Sequence, residues 1–215
     1  FIETYPSAAE IPKAIELRND RAFNAAKETN TIESFQDFIE TYPSAAEIPK
    51  AIELRYELAF IITKEQNSVI AYNDFLVEFP NTNYKELILK KIQEIEYQAV
   101  LKESEYPNGK INPIKEHLEK YPNTNNKTKL GEIYFKLISA GLKYNCNEVK
   151  LYQEFLQLFA INESQMKALA ELVNDTWDLP LMEFFIKEFP FYDQISALKE
   201  NRKWIIETDN LIYIT

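Results

Sequence analysis

Glycine, cysteine and histidine are scarce in this chain: its 215 residues include 3 Gly, 1 Cys and 1 His. Each shortage excludes a class of chemistry. A phosphate-cradling loop and the nucleophile elbow of hydrolases both need glycines at fixed offsets, and neither pattern occurs. The single cysteine, Cys146, allows no intrachain disulfide and reads as a small buried hydrophobe. One His and one Cys leave no basis for a zinc site, and no Asp-x-Asp-x-Asp ladder offers a calcium loop. No stretch of 18 apolar residues is present, so the chain holds no membrane-spanning helix. Basic residues are outnumbered, 24 against 34 acidic, for a net charge of -10. That balance opposes binding to a nucleic-acid backbone, which needs clustered Lys and Arg, and it favours solubility.

What the chain does contain is a repeat. The segment FIETYPSAAEIPKAIELR stands at Phe1 to Arg18 and again, unchanged, at Phe38 to Arg55, a period of 37 residues. Periods of 20 to 50 residues mark solenoids and arrays, whose units bury their apolar faces against neighbouring units. The register continues as FLVEFP ending at Pro80, HLEKYP at Pro122, FLQLFA at Ala160 and FIKEFP at Pro190, after FIETYP at Pro6 and Pro43. The spacings are 37, 37, 42, 38 and 30. Such drift is expected from connecting loops that gained or lost residues, because loop length costs little. With 46% apolar content and no Ser/Gly-rich linker, residues 1–215 read as one continuous repeat domain. The chain opens at Phe1, mid-repeat and without Met, which reads as a fragment whose N-terminus, with any signal or lipid anchor, lies upstream.

Within a unit the periodicity is helical. In SVIAYNDFLVEF, Val69, Tyr72, Leu76 and Phe79 form a stripe flanked by Ile70, Ala71 and Phe75. Pro80 stops that helix, since it lacks an amide donor and restricts the preceding residue. Asn81-Thr82-Asn83 is then a turn whose short side chains can cap the next helix. That helix, YKELILKKIQEIEYQAVLKE, aligns Ile88, Ile92, Ile95 and Ala99, widened by Leu87, Leu89 and Val100. In the identical copies the long helix starts between Ser44 and Ile48, with Pro49 in its first turn. Each unit is therefore a helix of about three turns, a Pro-marked turn, and a helix of five to six turns. Asn145-Cys146-Asn147, Asn174-Asp175 and Tyr106-Pro107-Asn108-Gly109 mark the other loops. Short loops make sequential helices antiparallel.

The phrase carried by Phe35, Phe38, Ile39, Tyr42, Pro43 and Ser44, and again by Tyr72, Phe75, Leu76, Phe79, Pro80 and Asn81, resembles the tetratricopeptide repeat superfamily. The likeness is to its longer-period bacterial variety, found in outer-membrane assembly lipoproteins and TolA-binding periplasmic proteins. It departs from the common pattern in its 37-residue period, against about 34, and in irregular fourth and last units. The resemblance implies an all-α fold, a right-handed alpha-alpha superhelix of about five helical hairpins. It also implies a bacterial periplasmic or outer-membrane-associated setting. The Pro-terminated short helix would be the second of each repeat, and the long helices would line the concave surface. Lys50, Glu53, Glu57, Lys64, Lys91 and Glu94 would then face a protein or peptide partner.

Candidate chemistry is thin. His117 aligns with Phe38 and Phe75, so it reads as a packing or surface variant; a general base would need a positioned partner and a nucleophile within reach. The series Tyr5, Tyr42, Phe79, Tyr121, Phe159 and Phe189 suits packing between units, since each ring buries a large area. Trp177, Phe184, Phe185, Phe191, Tyr192 and Trp204 could build either a capping core or a docking patch. Asn126, Asn162 and Asn174 match the glycosylation acceptor pattern, which is frequent by chance. The resulting expectation is a monomeric, non-enzymatic scaffold without catalytic residues, cofactor or metal. The alternative is an accessory region of a larger enzyme or envelope machine whose active domain lies outside this segment.

Overall fold

The computed structural model describes residues 10–106, 108–141 and 149–212. Among them the chain is all-α, with eleven helices and no strand. In order these are α1 (Ile11–Thr29), α2 (Ile32–Thr41), α3 (Ile48–Gln66), α4 (Val69–Glu78), α5 (Lys85–Glu103), α6 (Asn112–Lys120), α7 (Lys127–Gly141), α8 (Val149–Leu158), α9 (Glu163–Thr176), α10 (Leu179–Glu188) and α11 (Ile195–Ile212). The chain divides into two compact units, Phe1–Glu96 and Tyr97–Thr215, with the division inside α5.

The short helices end on an aromatic residue in a conformation of its own. Tyr42, Phe79, Tyr121 and Phe189 cap α2, α4, α6 and α10 with φ between -130 and -120° and ψ between 56 and 68°. A following proline enforces such departure from the helical region. The cap amide still donates to the carbonyl four residues back, at 2.8 to 2.9 Å in all five short helices, Phe159 of α8 included. The cap carbonyl then accepts from the residue three ahead, closing a turn with Pro in its favoured second position. These bonds come from Ala45 at 2.9 Å and from Thr82, Thr124 and Tyr192 at 3.1 Å each. Ala45, Thr82 and Thr124 are buried, so the position demands a small side chain in those units. Thr82 and Thr124 also use their hydroxyls, accepting from the amides of Tyr84 at 3.2 Å and Asn126 at 3.3 Å, and so lead into the next helix.

The passage from long to short helix uses a different device. Asn30, Asn67 and Trp177 sit in the left-handed region, with φ of 51, 42 and 52°. Each is followed by an N-cap: Thr31, Ser68 and Asp178 accept from the amides of Ser34 at 3.1 Å, Ala71 at 3.1 Å and Leu181 at 2.7 Å. Two residues thus reverse the chain, because Asn tolerates the left-handed region and Ser, Thr and Asp are natural N-caps.

Side chains from these helices build separate cores. In the first unit, Phe23, Phe35, Phe38 and Ala51 gather between α1, α2 and α3, and Phe60, Tyr72, Phe75, Phe79 and Ile88 between α3, α4 and α5. In the second, Tyr134, Tyr152, Phe155, Leu181 and Phe185 are among the residues of one larger cluster.

Several sequence expectations need correction. Ile70 of α4 is exposed, as are Leu87, Leu89 and Ala99 of α5; the buried stripe of α4 is Ala71, Tyr72, Phe75 and then Phe79. An apolar residue flanking a stripe is covered only if a neighbouring helix reaches it. Asn174 and Asp175 lie in the last turn of α9 and not in a loop. α9 has 14 residues where α1, α3 and α5 have 19, so the short spacing before Pro190 comes mainly from a shortened helix. The long spacing before Pro122 does reflect loop growth, between Glu103 and Asn112. The loop expected at Asn145-Cys146-Asn147, and Tyr5 and Pro6, lie outside the described residues.

Phe38 and Phe75 are both 3% exposed, so Phe38→Ala and Phe75→Ala should each lower unfolding free energy by about 3 to 5 kcal/mol, measured by denaturant titration. Asn67→Gly should be near neutral while Asn67→Val loses about 1 to 2 kcal/mol, because a β-branched side chain resists positive φ.

Candidate binding surfaces

On α3 the predicted partner-facing residues fall at i, i+3, i+7 and i+14, which places Lys50, Glu53, Glu57 and Lys64 on one helix face, and all four are exposed. Lys50 Nζ lies 2.7 Å from Glu53 Oε2. That hydrogen bond and the charge of Glu53 raise the lysine pKa above its ordinary value. The ammonium group of Lys64 stands 5.7 Å from the centroid of the Phe60 ring, as that of Lys27 stands 4.9 Å from Phe23 one period earlier. Lys91 and Glu94 are exposed one turn apart on α5.

Two of the long helices meet through their side chains. In the second unit Asn201 of α11 donates to Asn174 of α9 at 3.3 Å, and the rings of Trp177 and Trp204 meet at 5.5 Å.

Concavities lie elsewhere. A shallow groove of about 330 Å³ between α1 and α2 is lined by Ala22, Ala26, Asp37, Phe38 and Tyr42, among others. One period on, a groove of about 190 Å³ between α3 and α4 is lined by Ala59, Thr63, Asp74, Phe75 and Phe79. Residue for residue these are the same feature, and the sequence reading missed it. The available signal was the small or polar residue conserved between units opposite each phenylalanine, as Ala22 and Ala59 are. A third groove, about 370 Å³, runs past Lys127, Gly131, Phe159, Ala160 and Asn162. It opens where Ala160 stands in the proline position. There Asn162 starts α9 with a reciprocal capping box to Gln165, at 2.9 and 3.0 Å.

Residues singled out for possible chemistry are mostly committed to structure. His117 is 4% exposed and lies against the rings of Tyr121 at 5.0 Å and Tyr97 at 6.0 Å, in the place of Phe38 and Phe75. Asn162 and Asn174 are engaged by the capping box and by Asn201. Cys146 lies outside the described residues. Among the described residues no group of three His, Cys, Asp or Glu side chains is placed to hold a metal, and no helix is long and apolar enough to cross a membrane.

The C-terminal aromatics divide between the two roles considered. Phe184 and Phe185 are core residues, and Tyr192 packs edge-on to Phe185 at 5.3 Å. Trp177, Phe191 and Trp204 are exposed.

Compared with protein-family models and with curated proteins, the sequence matches none.

One cluster in the second unit, a buried tyrosine beside a partly exposed ion pair, titrates abnormally. Glu154 bonds Lys115 at 2.8 Å; that hydrogen bond, with the charges of Lys115 and Lys150, holds its carboxyl below the usual value of 4.5. Burial, assisted by the Glu154 carboxylate, pushes the Tyr134 phenol up to about 12. A depressed carboxyl pKa stabilises the fold above pH 4.5, and the contribution is lost as pH falls through its folded value. The phenol has no effect until pH 10, where the unfolded chain begins to ionise and the folded one does not, so stability falls between pH 10 and about 12. Glu154→Gln should flatten the acid limb of the stability profile and Tyr134→Phe the alkaline limb, each read by urea unfolding against the parent chain.

Proposed function

We propose that this chain is a non-enzymatic interaction scaffold, tetratricopeptide-like, in which about five helical hairpins stack as a right-handed solenoid and hold a protein or peptide partner. The long helices provide the concave face. The observation that supports this most directly is the α3 stripe of Lys50, Glu53, Glu57 and Lys64, four exposed charged residues in one line on a helix whose other side is core. A line of mixed charge in water contributes little to folding; against a partner it sets register and encounter rate. Lys91 and Glu94 extend the same face onto α5. The setting that the sequence resemblance implies, a bacterial envelope, belongs to this proposal too.

Charge reversal separates the stripe from the grooves. Glu53→Lys with Glu57→Lys should weaken capture of the partner about tenfold or more, by analogy with like-charge placement at other interfaces. Asp37→Lys with Asp74→Lys, which alters the hairpin grooves, should change it little. The reverse outcome would move the binding face to the grooves. Small-angle scattering should give a radius of gyration well above the about 17 Å of a compact globule of this length; a value at that figure would remove the solenoid. Turnover by the purified chain, abolished at His117, would overturn the scaffold reading.

A further inference from the structure

The chain has 2 Trp, and the fold puts both in one exposed pair. Trp177 and Trp204 stand edge to face at 5.5 Å and 69° while 49 and 58% exposed. Trp177 occupies the left-handed junction that Asn30 and Asn67 fill in the earlier units, a conformation that suits asparagine and not a bulky ring. A backbone outlier that displays a large apolar ring to solvent is the kind of local strain that accompanies binding. Trp204 in turn takes the helix position held by Glu57 and Glu94.

Carboxylates rim the pair. Glu200 and Glu207 lie one turn before and after Trp204 on the same face of α11, and Asp175 and Asp178 bracket Trp177 in sequence; Glu200, Glu207 and Asp175 are exposed. Neighbouring cations are already engaged: Arg202 pairs with Glu183 at 2.6 Å and Lys203 with Glu207 at 3.8 Å. An indole face attracts a cation, guanidinium most often, and the chain's charge of -10 draws basic ligands towards it.

We propose that Trp177 and Trp204 form a platform that receives an arginine side chain from a basic segment of a partner protein. This rests on the scaffold reading and adds a second, chemically distinct contact to it. Both tryptophans report on the site, so the test is direct. The purified chain is titrated with a soluble Gly-Arg repeat peptide, and with the same peptide carrying citrulline for every Arg, while tryptophan emission is followed. The Arg peptide should give a saturable change, and the citrulline peptide should bind about 3- to 30-fold more weakly, the range of a cation over an exposed or desolvated ring. Trp177→Asn restores the residue used at the equivalent junctions, and Trp204→Ala removes an exposed ring; each should keep its helicity by circular dichroism, retain one reporting indole and lose binding by a similar factor. Trp204→Phe should retain most of it. Asp175→Asn with Glu200→Gln should weaken binding and reduce its salt dependence.

Emission indifferent to the Arg peptide, an equal response to the citrulline peptide, or a response to neutral cellohexaose with none to the Arg peptide would each overturn the assignment. If the natural partner is lost on reversal at Glu53 and Glu57 but not in either Trp variant, the scaffold reading stands and this inference falls. The opposite pattern would leave the platform and remove the α3 stripe.

Discussion

The aromatic residue that ends each short helix is held from two sides, and the units depend on that grip. Its amide completes the last turn, and its ring packs on the ring four residues back: Tyr42 on Phe38 at 5.5 Å, Phe79 on Phe75 at 4.9 Å, Tyr121 on His117 at 5.0 Å, Phe159 on Phe155 at 5.2 Å and Phe189 on Phe185 at 4.9 Å. Offset and tilted ring pairs are favourable beyond the area they bury. Because the backbone leaves the helix at this residue, the direction of the ring and the direction of the exit are one decision. A guanidinium adds to it in the identical copies, with Arg18 5.1 Å from Tyr42 and Arg55 5.3 Å from Phe79. Solvent-side cation contacts of this kind are worth less than a kilocalorie or so, yet they recur wherever the duplicated segment does.

Comparison across units separates what the turn needs from what it tolerates. The proline is replaced by Ala160 without loss of the cap bond at Phe159, and the following helix is then nucleated by Asn162 and Gln165. The inner ring tolerates His117. Crowding is less negotiable: a Cβ added at Gly131 would lie 2.8 Å from the Phe159 ring, so the cap aromatic of α8 also bears on the absence of a side chain on the preceding helix, α7. Among the described residues the left-handed turns are made by Asn30, Asn67 and Trp177 and by no glycine.

Much of this was legible in the sequence. Proline after an aromatic marked the ends of the short helices, and a helical period assigned class and boundaries to within a residue or so at Val69 and Lys85, while α3 begins at Ile48, the far end of the range Ser44 to Ile48. Burial was less legible, since Ile70, Leu87 and Leu89 obey the periodicity but meet no covering helix. The left-handed junctions were harder to see: Asn30 and Asn67 stand one period apart, but the third carries Trp177, so residue type alone does not align all three. The six partner-facing candidates were found as exposed charges, whereas the grooves beside Asp37 and Asp74 required knowing which alanines face which phenylalanines.

The identical stretches also pose a problem of address. The 18-residue stretch by itself carries nothing that says which copy it is. Identical stretches suit the same nest of rings equally well, so a correct outcome depends on signals outside them. Those signals do differ: the first copy runs on into Asn19, buried beside the Arg18 guanidinium at 3.1 Å, whereas the second runs on into Tyr56, whose ring meets Phe79 at 5.4 Å. Landscapes with near-degenerate pairings are prone to trapped and exchanged states. The residues just past each copy therefore carry the information about order along the chain.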